Sequence, residues 1–109
     1  MRLKMQGSER SAREQSILMS LWGALLGQVT PNMRAIFVDW NETFLCVYFV
    51  YDGAFTEEEK EAAECIGSEV CADFFDSEFD LQCNRIDYPQ PISCPGKCVF
   101  MRKEPVVRK

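Results

Sequence analysis

The chain contains no histidine. That removes the side chain that most often serves as general acid or base near neutral pH, and with it the Ser-His and Cys-His nucleophile pairs. It also removes every zinc site that needs an imidazole. No catalytic residue, no metal and no cofactor is expected, and the chain reads as a non-enzyme.

Long apolar runs are also missing. The segment Ile17–Leu26 is strongly apolar but short, about half of the roughly 20 residues that a membrane span requires. It reads as a core-packed helix, and no membrane partner is expected. The opening residues Met1-Arg2-Leu3-Lys4-Met5-Gln6 have neither the apolar core nor the small-residue cleavage site of a secretory signal. A cytoplasmic location with reduced cysteines is therefore expected.

Clustered basic charge is scarce. The formal net charge is −5, and binding nucleic acid needs grouped Lys and Arg to neutralise phosphates. No nucleic-acid partner is expected. The six cysteines, Cys46, Cys65, Cys71, Cys83, Cys94 and Cys98, contain no Cys-X-X-Cys pair. Cys46 falls in an apolar strand and Cys65 and Cys71 in a helix, where free cysteine acts as a small hydrophobe. Cys94-Pro95-Gly96-Lys97-Cys98 is the one local pair, and it matches no zinc-ribbon or finger spacing.

What is present is a long acidic stretch. From Glu57 to Asp80 there are ten acidic residues against one basic residue, Lys60. Thr56 followed by Glu59 is a capping box, and glutamates in a first turn suit the positive end of the helix dipole. Ala62, Ile66, Val70 and Phe74 then recur at helical spacing as an apolar stripe, with Ala63, Gly67 and Cys71 as the neighbouring row.

Around this helix the remaining elements follow in order. Residues 1–10 read as a loose start. Ser11 and Glu14 form a second capping box, opening a helix to about Leu26 that Gly27 and Pro31 end. Trp22 lies off its stripe and is expected to be partly buried against a sheet. Arg34–Trp40 and Thr43–Tyr51 are rich in strand formers, and their short connection predicts an antiparallel hairpin. Glu78–Ile86 begins as an alternating, half-exposed strand. Residues 87–97 hold three prolines in the seven residues from Pro89 to Pro95, so they read as an ordered loop. Cys98–Arg102 is a last short strand, and 105–109 a tail.

The expected fold is a single α+β domain over 1–109, in the order α-β-β-α-β-β. The sheet is expected to be four-stranded and mainly antiparallel, with two helices packed on one face. The other face is expected to be partly exposed as a platform for a partner. That face and the edge strands leave room for a homo-oligomer.

Several strings resemble a known family: Leu26–Ala35, Tyr51-Asp52-Gly53 with Thr56-Glu57-Glu58, Glu69–Phe74, Arg85–Ile92 and Val99–Glu104. They are similar to small immunity proteins of bacterial contact-dependent growth inhibition and related polymorphic-toxin systems, over about Ala12 to Glu104. The resemblance implies a cytoplasmic non-enzyme that binds and neutralises a cognate toxin domain. The chain departs from the pattern in its cysteines at apolar positions, including Cys65 and Cys71.

Combined with the acidity, this points to a basic nuclease domain as partner. The candidate partner-binding carboxylates are Glu58, Glu61, Glu64, Asp73, Asp76, Glu78 and Asp80. Phe75 and Tyr88 are the candidate aromatic anchors, with Trp40 nearby, since tight interfaces combine aromatic anchors with a charged rim. Two other readings stay open at this point: a generic interaction or regulatory module without a toxin, and a small thiol-redox protein.

Overall fold

The computed structural model describes residues 2–105, with side chains from Ala12 onward. Met1 and Val106–Lys109, and with them most of the expected tail, lie outside the described residues. The elements are α1 (Arg2–Leu25), β1 (Met33–Trp40), β2 (Phe44–Tyr51), α2 (Glu57–Asp73), β3 (Glu78–Arg85) and β4 (Lys97–Met101).

The first helix begins at Arg2, not at Ser11. Residues 2–10 contain no proline and are mostly good helix formers, so nothing interrupts propagation toward the N-terminus. Gly27 follows the helix with φ +76°, the left-handed conformation that ends a helix at little cost. Thr56 and Glu59 form the reciprocal capping box on α2. The Thr56 side chain accepts from Glu59 N at 3.2 Å, and Thr56 N donates to Glu59 Oε1 at 3.1 Å.

β1 and β2 form the expected antiparallel hairpin. Asn41 shapes its turn, accepting from Thr43 N on its side-chain oxygen at 2.9 Å. The sheet order is β3-β2-β1-β4. β4 pairs antiparallel with β1, but β3 pairs parallel with β2. The sheet is thus mainly antiparallel, as expected, but mixed: two of its three pairings are antiparallel and one is parallel. The cause is α2. Its 17 residues rise about 1.5 Å each, which carries the chain back along the length of β2. β3 therefore starts beside the start of β2, as in a β-α-β unit.

Both helices pack on one face of the sheet. Ile17, Leu21, Ala24 and Leu25 of α1 join Ala63, Ile66 and Val70 of α2 over Ile36, Val38, Leu45, Val47, Phe49 and Tyr51. The buried row of α2 is Ala63, Ile66, Gly67 and Val70, while Ala62 and Phe74 are half-buried. The predicted stripe is thus turned by about one residue on the helix surface. Gly67 lets β3 come close, since a Cβ there would run into the Leu81 side chain.

The other face is partly exposed, as expected, with Glu78, Asp80 and Gln82 exposed and Phe37, Asp39 and Tyr48 half-buried, but part of it is covered. β3 and β4 occupy opposite edges, and residues 86–96 must cross the sheet between them on the side the helices leave free. Ala35, Cys46 and Val50 point to that side and are fully buried. Burial pushes the Cys94 thiol in this segment above its ordinary pKa, with Cys46 and Cys98 adding to the shift. The proline-rich segment thus covers the part of this face around Ala35, Cys46 and Val50.

Candidate functional site

The acidic residues fall on three elements. Glu58, Glu61 and Glu64 are exposed along the outer side of α2. Asp73 ends that helix and accepts from the Ser20 hydroxyl at 2.6 Å, tying α2 to α1. Phe75 and Asp76 stand in the turn after it, and Glu78 and Asp80 on β3. β3 is an edge strand, so its free side is unpaired.

The turn after α2 is held at one end of the molecule. Ser77 N donates to Phe74 O, and Glu78 N donates to Thr43 O at 2.8 Å, where the parallel ladder begins. Arg13 of α1 reaches across, donating Nε to Asn41 O at 2.8 Å and Nη2 to Ser77 Oγ at 3.3 Å. Its guanidinium lies over the Phe74 ring at 5.8 Å. Phe74 thereby turns inward and Phe75 outward. Phe75 is 87% exposed, the most exposed large apolar side chain among the described residues. Asp73, Asp76 and Glu78 flank it in sequence, all exposed.

Alternation along β3 splits the carboxylates between two faces. Phe79, Leu81 and Cys83 turn toward the helices, and Glu78 and Asp80 away from them. The two groups meet at the β3 edge, where a shallow groove is lined by Glu64, Ser68 and Cys71 of α2 and by Phe79, Asp80 and Leu81. The acidic surface therefore wraps one edge of the molecule and ends at Phe75.

Tyr88 is not part of this surface. It follows the far end of β3, which at eight residues is about 26 Å long. Its hydroxyl donates to Pro105 O at 2.7 Å, and its ring lies 5.7 Å from the Arg34 guanidinium. The Tyr88–Pro89 peptide is cis. Trp40 is half-buried at the Phe75 end, lining a cleft with Arg13, Asn41, Glu42 and Thr43.

Around Tyr88 lies an ion cluster that the composition did not reveal. Arg34, 3% exposed, pairs through both ends of its guanidinium with Glu104 at 2.7 and 3.0 Å. Its Nη1 also donates to Ile86 O and Gln90 O. Arg102 bridges Asp52 and Glu104. Asp52 accepts from Tyr88 N, and Asp87 from Gly53 N and Arg85. The Arg102 side chain and the Tyr88 amide hold the Asp52 carboxyl below its usual range. Arg85 and the Gly53 amide do the same for Asp87, and Arg34 with Arg102 for Glu104. These groups fasten the 86–96 segment to the sheet.

All six thiols are unpaired. Burial raises the pKa of Cys46 and Cys83, so these thiols stay protonated and unreactive. Cys65, expected at an apolar position, is exposed between the carboxylates of α2, and Cys98 is exposed on β4.

No helix among the described residues is long and apolar enough to cross a membrane. No group of His, Cys, Asp or Glu among them is placed to hold a metal ion. What the fold presents is a small α+β domain with a fastened loop on one side of its sheet and a carboxylate-rich edge ending in an exposed phenylalanine. Residues 14–104 match the MafI2 immunity protein family, and the chain belongs to it. It is thus an immunity protein directed against a toxin, in line with the resemblance to polymorphic-toxin systems. No curated protein matches the chain. Among solved structures it is similar to a zinc form of a MamM CTD variant, at 15% identity and a TM-score of 0.38, covering 79% of this chain and 99% of that one. A likeness at that level carries no argument about function.

Proposed function

We propose that this immunity protein acts in the cytoplasm of a contact-dependent or related toxin system. It binds a basic toxin domain, a nuclease, through the edge formed by α2, the 74–77 turn and β3. Glu58, Glu61 and Glu64 line the approach, Phe75 inserts as the apolar anchor, and Asp73, Asp76, Glu78 and Asp80 form the charged rim. The single observation that carries this reading is Phe75, 87% exposed within the Glu57–Asp80 run, where ten carboxylates are offset by one basic residue, Lys60. An aromatic side chain held out in water by a rigid turn has no role in the monomer's core. Aromatic anchors ringed by charge are characteristic of tight interfaces.

A nuclease carries a basic cleft for phosphate, and an acidic inhibitor seated there excludes substrate by charge and by bulk. Tyr88 has no part in this reading, because its hydroxyl and ring are committed to Pro105 and Arg34.

The test is binding of the purified chain to its cognate toxin domain by calorimetry or surface plasmon resonance at several salt concentrations. Association is expected to slow steeply as salt rises. Lysine at Glu61, Glu64, Asp76 and Glu78 together is expected to weaken binding by at least about a hundredfold, with an unchanged circular dichroism spectrum. Binding that ignores both salt and these substitutions would overturn the assignment of this surface.

A further inference from the structure

The two edges of the sheet are built differently. β4 is guarded in several ways. It has five residues, follows Pro95 and Gly96, and starts at Lys97. Its register against β1 slips between Ile36 and Phe37, leaving Val99 opposite no residue of β1. The indole N–H of Trp22 instead donates to the Val99 carbonyl at 3.3 Å. Short length, lysine, proline and bulges are the devices that keep an edge strand from pairing with another chain.

β3 has none of these devices. It runs for eight residues, Glu78–Arg85, with neither proline nor lysine. It pairs with β2 in one unbroken register. Glu78 N donates to Thr43 O at 2.8 Å and Ile86 N to Tyr51 O at 3.0 Å, so the even-numbered residues hold β2. Bonds in a parallel ladder recur evenly, and the N–H and C=O groups of Phe79, Leu81, Cys83 and Arg85 are therefore left facing outward. On the helix side this free edge borders the shallow groove lined by Glu64, Gly67, Ser68, Cys71, Phe79 and Leu81. On the other side stand Glu78, Asp80 and Gln82, all exposed.

We infer that a strand of the toxin domain adds to this edge, main chain to main chain, and that its side chains alternate between apolar and basic. The two sides of β3 dictate that pattern. A strand laid along β3 turns every second side chain toward the groove, where Gly67, Cys71, Phe79 and Leu81 offer apolar contact. The side chains between them lie beside Glu78, Asp80 and Gln82, where opposite charges on neighbouring strands stabilise the pair. In strand addition of this kind main-chain bonds supply affinity and alternate side chains supply specificity. Charge excludes a second copy of this chain as the occupant. Two apposed β3 edges would set Glu78 and Asp80 of one copy against those of the other, and like charges facing across strands are destabilising. The pairing rests on the toxin surface proposed above, and adds to it a backbone contact that neither Phe75 nor the α2 carboxylates supply.

The test is amide hydrogen exchange of the full chain, resolved by residue with NMR, free and with a saturating amount of its cognate toxin domain. In the free chain the Phe79, Leu81 and Cys83 amides are expected to exchange fast, and the Asp80 and Gln82 amides slowly. With toxin bound, the Phe79, Leu81 and Cys83 amides are expected to slow by about a hundredfold or more. Gln82→Lys is expected to leave the circular dichroism spectrum unchanged and to weaken toxin binding by about tenfold, because a lysine on the edge repels a basic strand. Toxin that binds with the expected salt dependence while those three amides keep their free-chain rates overturns the strand addition and leaves the acidic surface standing. A toxin domain that does not bind, or that alters exchange nowhere on α2, the 74–77 turn or β3, overturns both. Phe79, Leu81 and Cys83 amides that are already slow in the free chain also overturn the strand addition. So do amides that slow as the chain alone is concentrated, which would assign the edge to self-pairing.

Discussion

Arg34 and Glu104, 70 residues apart in sequence, meet through two parallel hydrogen bonds, Nε to Oε2 at 2.7 Å and Nη2 to Oε1 at 3.0 Å. The arginine sits at the bulge where β1 slips register against β2, and its remaining donor holds two carbonyls of the crossing segment. One buried cation thus joins the first strand, the proline-rich segment and the segment after the last strand.

Removing the carboxylate strands that cation. Glu104→Gln is expected to destabilise the fold by about 2–3 kcal/mol, as for a charge-assisted pair at a partly buried site. Urea denaturation would read this as a lower midpoint with an unchanged slope. Arg34→Met with Glu104→Leu is expected to cost less than Glu104→Gln alone, because no uncompensated charge is left behind.

The same cluster sets a pH dependence. Asp52, Asp87 and Glu104 are all held below their ordinary values. A carboxyl depressed in the folded state binds its proton more readily when unfolded. Its contribution is therefore complete above the unfolded value of about 4 and is lost as pH falls through the lower folded value. Thermal unfolding followed from pH 7 downward should show a midpoint that is flat to about pH 5 and then falls. In an Asp52→Asn, Asp87→Asn, Glu104→Gln chain the midpoint should start lower and fall less steeply. An equally steep fall in that variant would assign the acid sensitivity elsewhere.

Two glycines with similar backbone angles should respond differently to alanine. Gly53 has φ +83° and Gly96 has φ +90°. At Gly53 a Cβ meets open space, and at Gly96 it runs into the backbone carbonyl of Val38. Gly53→Ala is expected to cost about 1 kcal/mol, the left-handed penalty alone. Gly96→Ala should cost more than about 2 kcal/mol, because β1 and β4 must also separate. Paired chemical denaturation curves measure the difference directly.

Phe75→Ala should separate binding from folding. With 87% of the side chain already in water, its loss is expected to change stability by no more than about 0.5 kcal/mol. In toxin binding the same change should cost about 2 kcal/mol or more, through faster dissociation, as expected of an aromatic anchor. Arg13→Ala is the companion variant: it frees the 74–77 turn from α1 and should weaken binding with Phe75 intact.

Much of this architecture is legible in residue order. Thr56 and Glu59 mark the start of α2 because a capping box is a local device, complete within four residues. The hairpin of β1 and β2 follows from strand formers on either side of Asn41. The direction of β3 is harder to read. Alternation along Glu78–Cys83 tells which residues face in, and nothing in it tells which way the strand runs. The length of α2 does carry that information, since a helix as long as its strand returns the chain to the start. The cover over part of the second face is hidden for another reason. Residues 86–96 hold the sheet with carbonyls and a few ion pairs, which leave no periodic trace. Tyr88 reads as an interface aromatic in sequence because its partners, Arg34 and Pro105, are far away along the chain.

The strand order has a consequence for synthesis. β4 is the last strand made, yet it flanks β1, the first, and Glu104 completes the site of Arg34. A nascent chain that has emerged only as far as β3 lacks one edge of its sheet and the partner of its buried cation. Long-range closure of this kind slows folding relative to local pairing. The edge of the sheet and the site of Arg34 are therefore expected to close only when residues around 97–104 become free to pair. For a cell that must be protected before toxin enters, a standing pool of folded protein matters more than the speed of new synthesis.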